Sequence, residues 1–352
     1  MIATSDIINF NLPNHLACPK PTELRNISRD DVRLLVTSDN GVEEHTYFRN
    51  FTDYLKAGDV LVVNTSATQL AAFPIVLPNG KKGRIHFSTQ MNNTEWLAEI
   101  RVIKGNKTVR WQAGEVNMVF ELAAGLTIQL KSNFYESRTM LNLWRVEIKT
   151  VRDFQSYRNE YGQPIRYENL DKPYPLDYFQ TFFSFHAGSS EMPSAGRGFT
   201  PELIDKLLQK GVVFAPILLH TGVSSLEENE SPYPEYFEVN PITAAILNHA
   251  KSNDNRIISV GTTAIRAVES ATNEVGKVIS QKGHTNLYIK SDYQMKTVNS
   301  LLTGFHEPKA SHLHMLQALA GVRHIARAYT AAIDHAYYWH QFGDLHLILN
   351  KC

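Results

Sequence analysis

Residues 256–270 read RIISVGTTAIRAVES, and their reading decides the fold. RIISV has the apolar content of a buried strand, Gly261 permits a tight turn, and Thr262 and Thr263 then open a run predicted as helix. The same alternation recurs on both sides. Upstream, TPELIDKLLQKG carries Thr200 as a natural N-cap, Pro201 at the first helical position and Gly211 as the stop, and the apolar strand VVFAPILL follows. PITAAILNHAKSN reads as a further helix, NLYI at 286–289 as a strand, and the chain from Lys309 onward as a long helical stretch. The first 65 residues add the strands DVRLLV, EEHTYF and DVLVVN, with FTDYLKAG as a helical turn between the last two. Strand and helix in alternation predict an α/β core with a mostly parallel sheet covered on both faces.

Between about 66 and 150 the texture changes. GRIHFST, EWLAEIRVI, KTVRW, VNMVFEL, LTIQLKS and LWRVEIKT are short runs of period two, separated by Gly, Asn and Lys. Regular spacing of this kind predicts a small antiparallel β-barrel or sandwich. The expected organisation is therefore a discontinuous α/β core domain, residues 1–65 and 151–352, with an inserted β-barrel domain at 66–150. Lysine plus arginine and aspartate plus glutamate balance at 35 each. From Asn79 to Arg152, however, there are twelve basic and six acidic residues, so the inserted segment has either a phosphate-facing surface or simply a basic, solvated one.

A chain of 352 residues with 43% hydrophobic content can bury a full core. Its two cysteines, Cys18 and Cys352, exclude a disulfide framework and a thiolate metal cluster and fit a reducing compartment, so a cytoplasmic location is expected. MIATSDIINF is not a secretory signal, and no apolar run approaches the roughly 18 residues of a membrane span. The dinucleotide and Walker fingerprints are absent, which argues against redox-cofactor and nucleotide triphosphate chemistry. His312 and His314 differ by two on a presumed helix and cannot share a face, so no zinc site is expected, nor any other metal.

Four stretches carry candidate chemistry. In VGTTAIRAVES, the amides and hydroxyls of Thr262 and Thr263 at a helix start would hold a carboxylate or phosphate; the plainer reading makes Thr262 a cap and Arg266 with Glu269 a surface pair. GSSEMPSAGRGFT, with Ser189, Pro193, Ala195 and Gly196, has the small residues that let backbone approach a ligand, or is a surface loop. In LLHTG, His220 ends an apolar strand and is either a base near neutral pH or a structural imidazole. GFHEPKASHLHML sets His306 and Lys309 just before a helix.

In order along the chain, NFNLP, RLLV, EEHTYF, YLKAGDVLVVN, YFQT, GSSEMPSAGRGFT, LLHTG, YFEV, VGTTAIRAVES, GFHEPK and FGD resemble the S-adenosylmethionine:tRNA ribosyltransferase-isomerase family of queuosine biosynthesis. The resemblance spans nearly the whole chain, and VGTTAIRAVES and FHEPK are its most specific parts. It implies a transferase that uses S-adenosylmethionine as co-substrate, without metal. The ribosyl moiety moves onto 7-aminomethyl-7-deazaguanine in the anticodon region of tRNA and is rearranged to epoxyqueuosine, releasing adenine and methionine. The sulfonium acidifies the adjacent C5′ protons, so a modest base can start an elimination that expels adenine. On this reading the 188–200 loop with Thr262 and Thr263 holds the methionine carboxylate or ribose hydroxyls, supported by Arg266 and Glu269. His220 or His306 transfers the proton, Lys309 stabilises charge, and Glu235 is retained. A monomer is expected.

Several positions depart from the family's pattern. Ala67 and Ala72 stand where two arginines are usual, Arg197 and Gly198 where Leu-His is usual, and Pro232 and Tyr233 where Met-His is usual; Val223 to Leu226 replace Ala-Gly-Thr-Phe. They motivate two alternatives: a divergent paralogue acting on a small-molecule acceptor, and a non-catalytic RNA- or ligand-binding protein.

Overall fold

Every residue of the strand Val60–Asn64 is buried, because both of its sides are covered. Val60 and Val62 point to one face, where they meet apolar residues of the helices Pro241–Ser252, Thr262–Ser270, His312–Ala320 and Val322–Asp334. Leu61 and Val63 point to the other, against Phe48, Phe51, Phe199, Leu203 and Leu207. A period of two with both faces buried leaves no polar position from Val60 to Val63, which is why that run reads as continuous hydrophobe. The computed structural model describes residues 8–39, 41, 43–105, 107–134, 143–166, 168–223 and 233–350. Cys352 and residues 1–7 of the N-terminal stretch lie outside them.

The core sheet has nine strands in the order Gln281–Thr285, Glu235–Val239, Val213–Leu219, Val60–Asn64, Ile257–Val260, Ser300–Gly304, Leu345–Leu349, Arg33–Ser38 and Glu43–Tyr47. Its central four strands run parallel, as do Leu345–Leu349 and Arg33–Ser38. The other four neighbouring pairs are antiparallel. The sheet is therefore mixed, and the expectation of a mostly parallel one is corrected. Of the antiparallel pairs only Arg33–Ser38 with Glu43–Tyr47 is a short hairpin, while the others join strands distant in sequence, and hydrophobic periodicity encodes neither pairing nor direction. NLYI is not a strand either. The edge strand lies just before it, and Leu287 and Ile289 instead pack their side chains into the core. The C-terminal helical stretch is broken in two at Gly321, whose φ of 84° no helix accommodates.

Residues 72–149 form a separate, wholly antiparallel sheet in the order Ala72–Val76, Lys82–Gln90, Glu95–Lys104, Trp144–Lys149, Thr127–Asn133 and Val119–Glu121, with Lys107–Arg110 paired to the outer part of Glu95–Lys104. Irregular register between Phe87 and Gln90 and between Leu130 and Ser132 bends it, so that its first and last strands come back together in a nearly closed barrel. Its interior is aromatic. Phe87 lies edge-on to Phe73, Trp96 and Phe154, with ring centroids 5.5, 5.7 and 5.2 Å away. Phe154 and Tyr157 come from the helix Phe154–Tyr161, which caps the barrel although it follows the last barrel strand.

Phe87 is fully buried, so Phe87→Ala removes a ring that its neighbours cannot replace. The expected loss is about 3–5 kcal/mol of unfolding free energy, read from urea melts; a loss below about 1 kcal/mol would mean that this barrel core is not packed as described.

Candidate active site

The four central strands point their carboxyl ends at one edge of the core sheet, the edge at which open sheets bind ligands. Asn64 ties these ends together. Its Oδ1 accepts from the amides of Leu219 and Ser66 at 3.0 and 3.1 Å, and its Nδ2 donates to the Leu219 carbonyl at 2.8 Å and the Thr263 hydroxyl at 3.3 Å. One buried side chain thus continues the hydrogen bonding of the sheet where the backbone ladder stops.

Above this edge lies a cleft of about 620 Å³ between the sheet and the barrel. Pro193, Ala195, Thr262, Thr263, His306 and Lys309 all line it. Gly261, at φ 92°, turns the chain into the helix Thr262–Ser270, and no side chain caps that helix, so its first amides face the cleft. Thr262 is consequently the first helical residue and not its cap. An uncapped N-terminus of this kind favours a carboxylate or a phosphate.

The loop after Ser300–Gly304 supplies the opposite side of the floor. His306 is held by its backbone, its N–H donating to the Tyr329 hydroxyl at 3.2 Å and its carbonyl accepting from the Trp339 indole at 3.0 Å. The Thr303 hydroxyl lies 3.0 Å from Nε2, while Nδ1 has no hydrogen-bond partner among the described residues. His312 stacks on the ring, with centroids 4.6 Å apart and planes 6° from parallel. Burial, reinforced by His312, His340 and His346, lowers the His306 pKa well below the ordinary imidazole value. Burial also lowers His312, to about 4, and Arg266 adds to the effect. Both rings are therefore neutral at pH 7.

The remaining candidates lie outside the cleft lining. His220 has its Nδ1 2.8 Å from the Ser66 hydroxyl, which is 2.6 Å from that of Ser189; Ser189 in turn accepts from the Thr221 amide at 2.9 Å. This chain positions Thr221, which does line the cleft. Gly188 is required beside it, since a Cβ there would sit 2.2 Å from the His220 ring. Glu235 accepts from the Gly222 amide at 2.8 Å and forms a buried ion pair with Arg266. Arg266 also reaches the carbonyls of Leu287 and Thr285, at 3.1 and 3.3 Å. Glu269 does not pair with Arg266. It accepts from the amides of Lys296, Thr297 and Val298 at 2.8, 3.0 and 3.0 Å and from the Tyr293 hydroxyl at 3.1 Å, fixing a loop on the far side of the helix. Gly196 is buried in the 3-10 turn Ser194–Gly196.

The barrel wall of the cleft, His86, Glu99, Arg101 and Thr108, was not among the sequence candidates; neither were Arg166, Glu191, His312 or His340. Strand register alone brings His86 opposite Glu99, and no local motif encodes it. Among the described residues no group of three or more His, Cys, Asp or Glu is arranged to hold a metal ion, and no helix is long and apolar enough to cross a membrane.

The departures at Arg197 and Gly198 have structural explanations. Arg197 does not reach a ligand: it is buried against Glu23 at 2.6 Å, Thr22 at 2.9 Å, the Tyr178 carbonyl at 3.1 Å and the face of Phe342. At Gly198 a Cβ would lie 2.7 Å from the Phe48 ring, so this loop is packed too tightly for a histidine. Ala72 pairs with His86 across the first two barrel strands, Ala67 lies in the short strand Ser66–Thr68, and Tyr233 packs over Gly222. Ser224, Ser225, Leu226 and Pro232 lie outside the described residues.

A family model described as queuosine biosynthesis protein matches residues 5–348. Two similar proteins, from Desulfitobacterium hafniense and Desulforamulus reducens, are each named S-adenosylmethionine:tRNA ribosyltransferase-isomerase. They are 33% and 30% identical to this chain over 97% of it and 98% of their own lengths. A solved structure of S-adenosylmethionine tRNA ribosyltransferase from Thermotoga maritima is similar at 25% identity with a TM-score of 0.54, covering 97% of this chain and 99% of that one.

Burial depresses His86 to about 3, His220 to about 4, His312 to about 4 and His346 to about 3. The unfolded chain, with imidazoles at their ordinary 6.5, binds more protons between these limits. The stability these neutral rings contribute is complete above pH 6.5 and is lost as pH falls towards 4 and then 3. The melting temperature should fall steadily through that window; a flat profile between about pH 6.5 and about pH 5 would contradict the burial of these rings.

Proposed function

The chain belongs to the queuosine biosynthesis protein family, and on that premise we propose how its cleft works as the active site of an S-adenosylmethionine:tRNA ribosyltransferase-isomerase. The enzyme transfers the ribosyl moiety of S-adenosylmethionine to 7-aminomethyl-7-deazaguanine in tRNA and isomerises it, giving epoxyqueuosine with release of adenine and methionine. The observation that carries the assignment of roles is that two stacked, neutral imidazoles share one cleft with an uncapped helix N-terminus.

The methionine carboxylate fits the helix start at Thr262 and Thr263, where the amides and the dipole favour an anion. Pro193 and Ala195 cover the apolar part of the co-substrate. His306 is the base: its Nδ1 accepts a C5′ proton made acidic by the sulfonium, and the electron pair left behind drives the elimination that expels adenine. His312, stacked on it, keeps the ring oriented, and Lys309 at the cleft mouth stabilises charge that develops on the leaving base. His220, Ser189 and Gly196 act behind the cleft, as do Glu235, Arg266 and Glu269. They are positioning residues that fix Thr221, Gly222 and the helix whose first turn carries Thr262 and Thr263.

The proposal includes a discontinuous core of 1–65 and 151–352 with 66–150 inserted as a barrel, a cytoplasmic monomer, and engagement of the anticodon region of tRNA. The 620 Å³ cleft, bounded by both the sheet edge and the barrel, supports a reading in which the RNA base enters between them.

Incubation with S-adenosylmethionine and tRNA bearing the aminomethyl-deazaguanine base should release adenine, measured by chromatography, and omission of the tRNA should abolish the release. His306→Ala should lower turnover by about 10²–10⁴-fold while S-adenosylmethionine still binds in a calorimeter. Full turnover in that variant would remove His306 from the role of base.

A further inference from the structure

Three strands of the barrel carry an arginine at the same level. Arg84 lies opposite Arg101 and Arg101 opposite Arg110, across Lys82–Gln90, Glu95–Lys104 and Lys107–Arg110. His86 and Glu99 face each other two residues further along, on the same side of the sheet. Like charges directly opposite one another destabilise a sheet, so such a row needs an anion. Glu99 provides one for part of it. Its Oε1 accepts from Nη1 of Arg101 at 2.7 Å and from Nε of Arg110 at 2.8 Å. Arg101 is further fixed by the Thr108 carbonyl and hydroxyl, at 2.8 and 3.0 Å.

The outer end of the row has no such neutralisation. Arg84, half-buried, donates Nη1 to the side chain of Gln163 at 2.5 Å, and the charge that bears on it is Arg166, which together with burial lowers its pKa. Arg166 donates to the carbonyls of Leu170 and Asp171, at 3.2 and 3.5 Å. Neither forms an ion pair among the described residues. Beside them His86 is almost wholly buried in the cleft wall, and its Nε2 has no hydrogen-bond partner among the described residues. Arg101 and Arg166 line this wall with the carboxylates Glu99, Glu168 and Glu191, and Arg84 and Arg110 stand beside Arg101 on the neighbouring strands.

Two guanidiniums held near one another without a counter-ion, next to an unsatisfied buried imidazole, form a preorganised oxyanion site. We propose that Arg84 and Arg166, backed by Arg101 and His86, hold a phosphodiester of the RNA strand beside the nucleotide presented to the cleft. This rests on the reading of tRNA as the acceptor given above. A phosphate suits them because its oxygens can take two planar guanidiniums bidentately from different directions. The methionine carboxylate is the other oxyanion in the reaction, but the helix start at Thr262 already offers it a site. The sequence segment that carries this wall, Asn79 to Arg152, holds twelve basic residues against six acidic ones.

The test is tRNA binding by anisotropy from about 50 to about 200 mM salt, for wild type, for Arg84→Gln and Arg166→Gln singly and together, and for the corresponding pair of lysine substitutions. The double glutamine variant should bind tRNA about tenfold or more weakly, with a salt slope lower by about one to two, and should bind S-adenosylmethionine as wild type does in a calorimeter. The lysine pair should restore the slope, and thermal melts of the single variants verify folding. Unchanged affinity and slope in the double variant, with wild type binding tRNA, would overturn this site alone. Loss of S-adenosylmethionine binding with tRNA binding intact would overturn it too, assigning the arginines to the carboxylate. If wild type bound no tRNA, the functional reading itself would fall.

Discussion

The amide of Asn64 is the contact on which the site depends. It gives two hydrogen bonds and takes two, and its partners belong to the strand Val213–Leu219, the short strand Ser66–Thr68 and the helix start at Thr263. Parallel strands end together, but nothing in a backbone ladder fixes how the loops leave them. A buried side chain able to donate and accept at once does so, and leaving its partners unsatisfied would cost about 1–3 kcal/mol for each buried group. The helix start at Thr263 and the strand end that leads to Thr221 are set from this point.

Around that pin, the structure separates groups that bear on chemistry from groups that brace them. Glu235 with Arg266 and Glu269 with its three amides are satisfied internally, and His220 is tied through Nδ1 to Ser66, which in turn holds Ser189. Among the described residues that line the cleft, those with capacity to spare include the first residues of Thr262–Ser270, the Thr221 hydroxyl and the Nε2 of His86. Desolvation keeps the imidazoles neutral at physiological pH and makes the same fold sensitive to acid.

The central strands and the flanking helices were legible in the sequence because burial on both faces leaves unbroken apolar runs and because Thr200, Pro201 and Gly211 mark a helix at both ends. Strand direction was not legible, and the sheet is mixed where a mostly parallel one was expected. The spacing of Arg266 and Glu269 suggested a pair, but each finds a better partner on another element, a choice that local periodicity cannot display. Pro193, Ala195, Thr262, Thr263, His306 and Lys309 could be picked out from glycine-rich turns and strand ends. The barrel wall could not, since it exists only through register between distant strands. His312 was weighed only as a metal ligand; its stacking on His306 needs the loop geometry to be seen.

The central claim is that a neutral imidazole in this cleft takes a proton from C5′ of S-adenosylmethionine before adenine leaves. The most direct measurement uses S-adenosylmethionine carrying two deuterium atoms at C5′, with the modified nucleoside isolated from tRNA and weighed by mass spectrometry. The account requires product with one deuterium lost from that carbon to solvent. Product that keeps both would contradict proton abstraction at C5′ and, with it, the role of the imidazole pair.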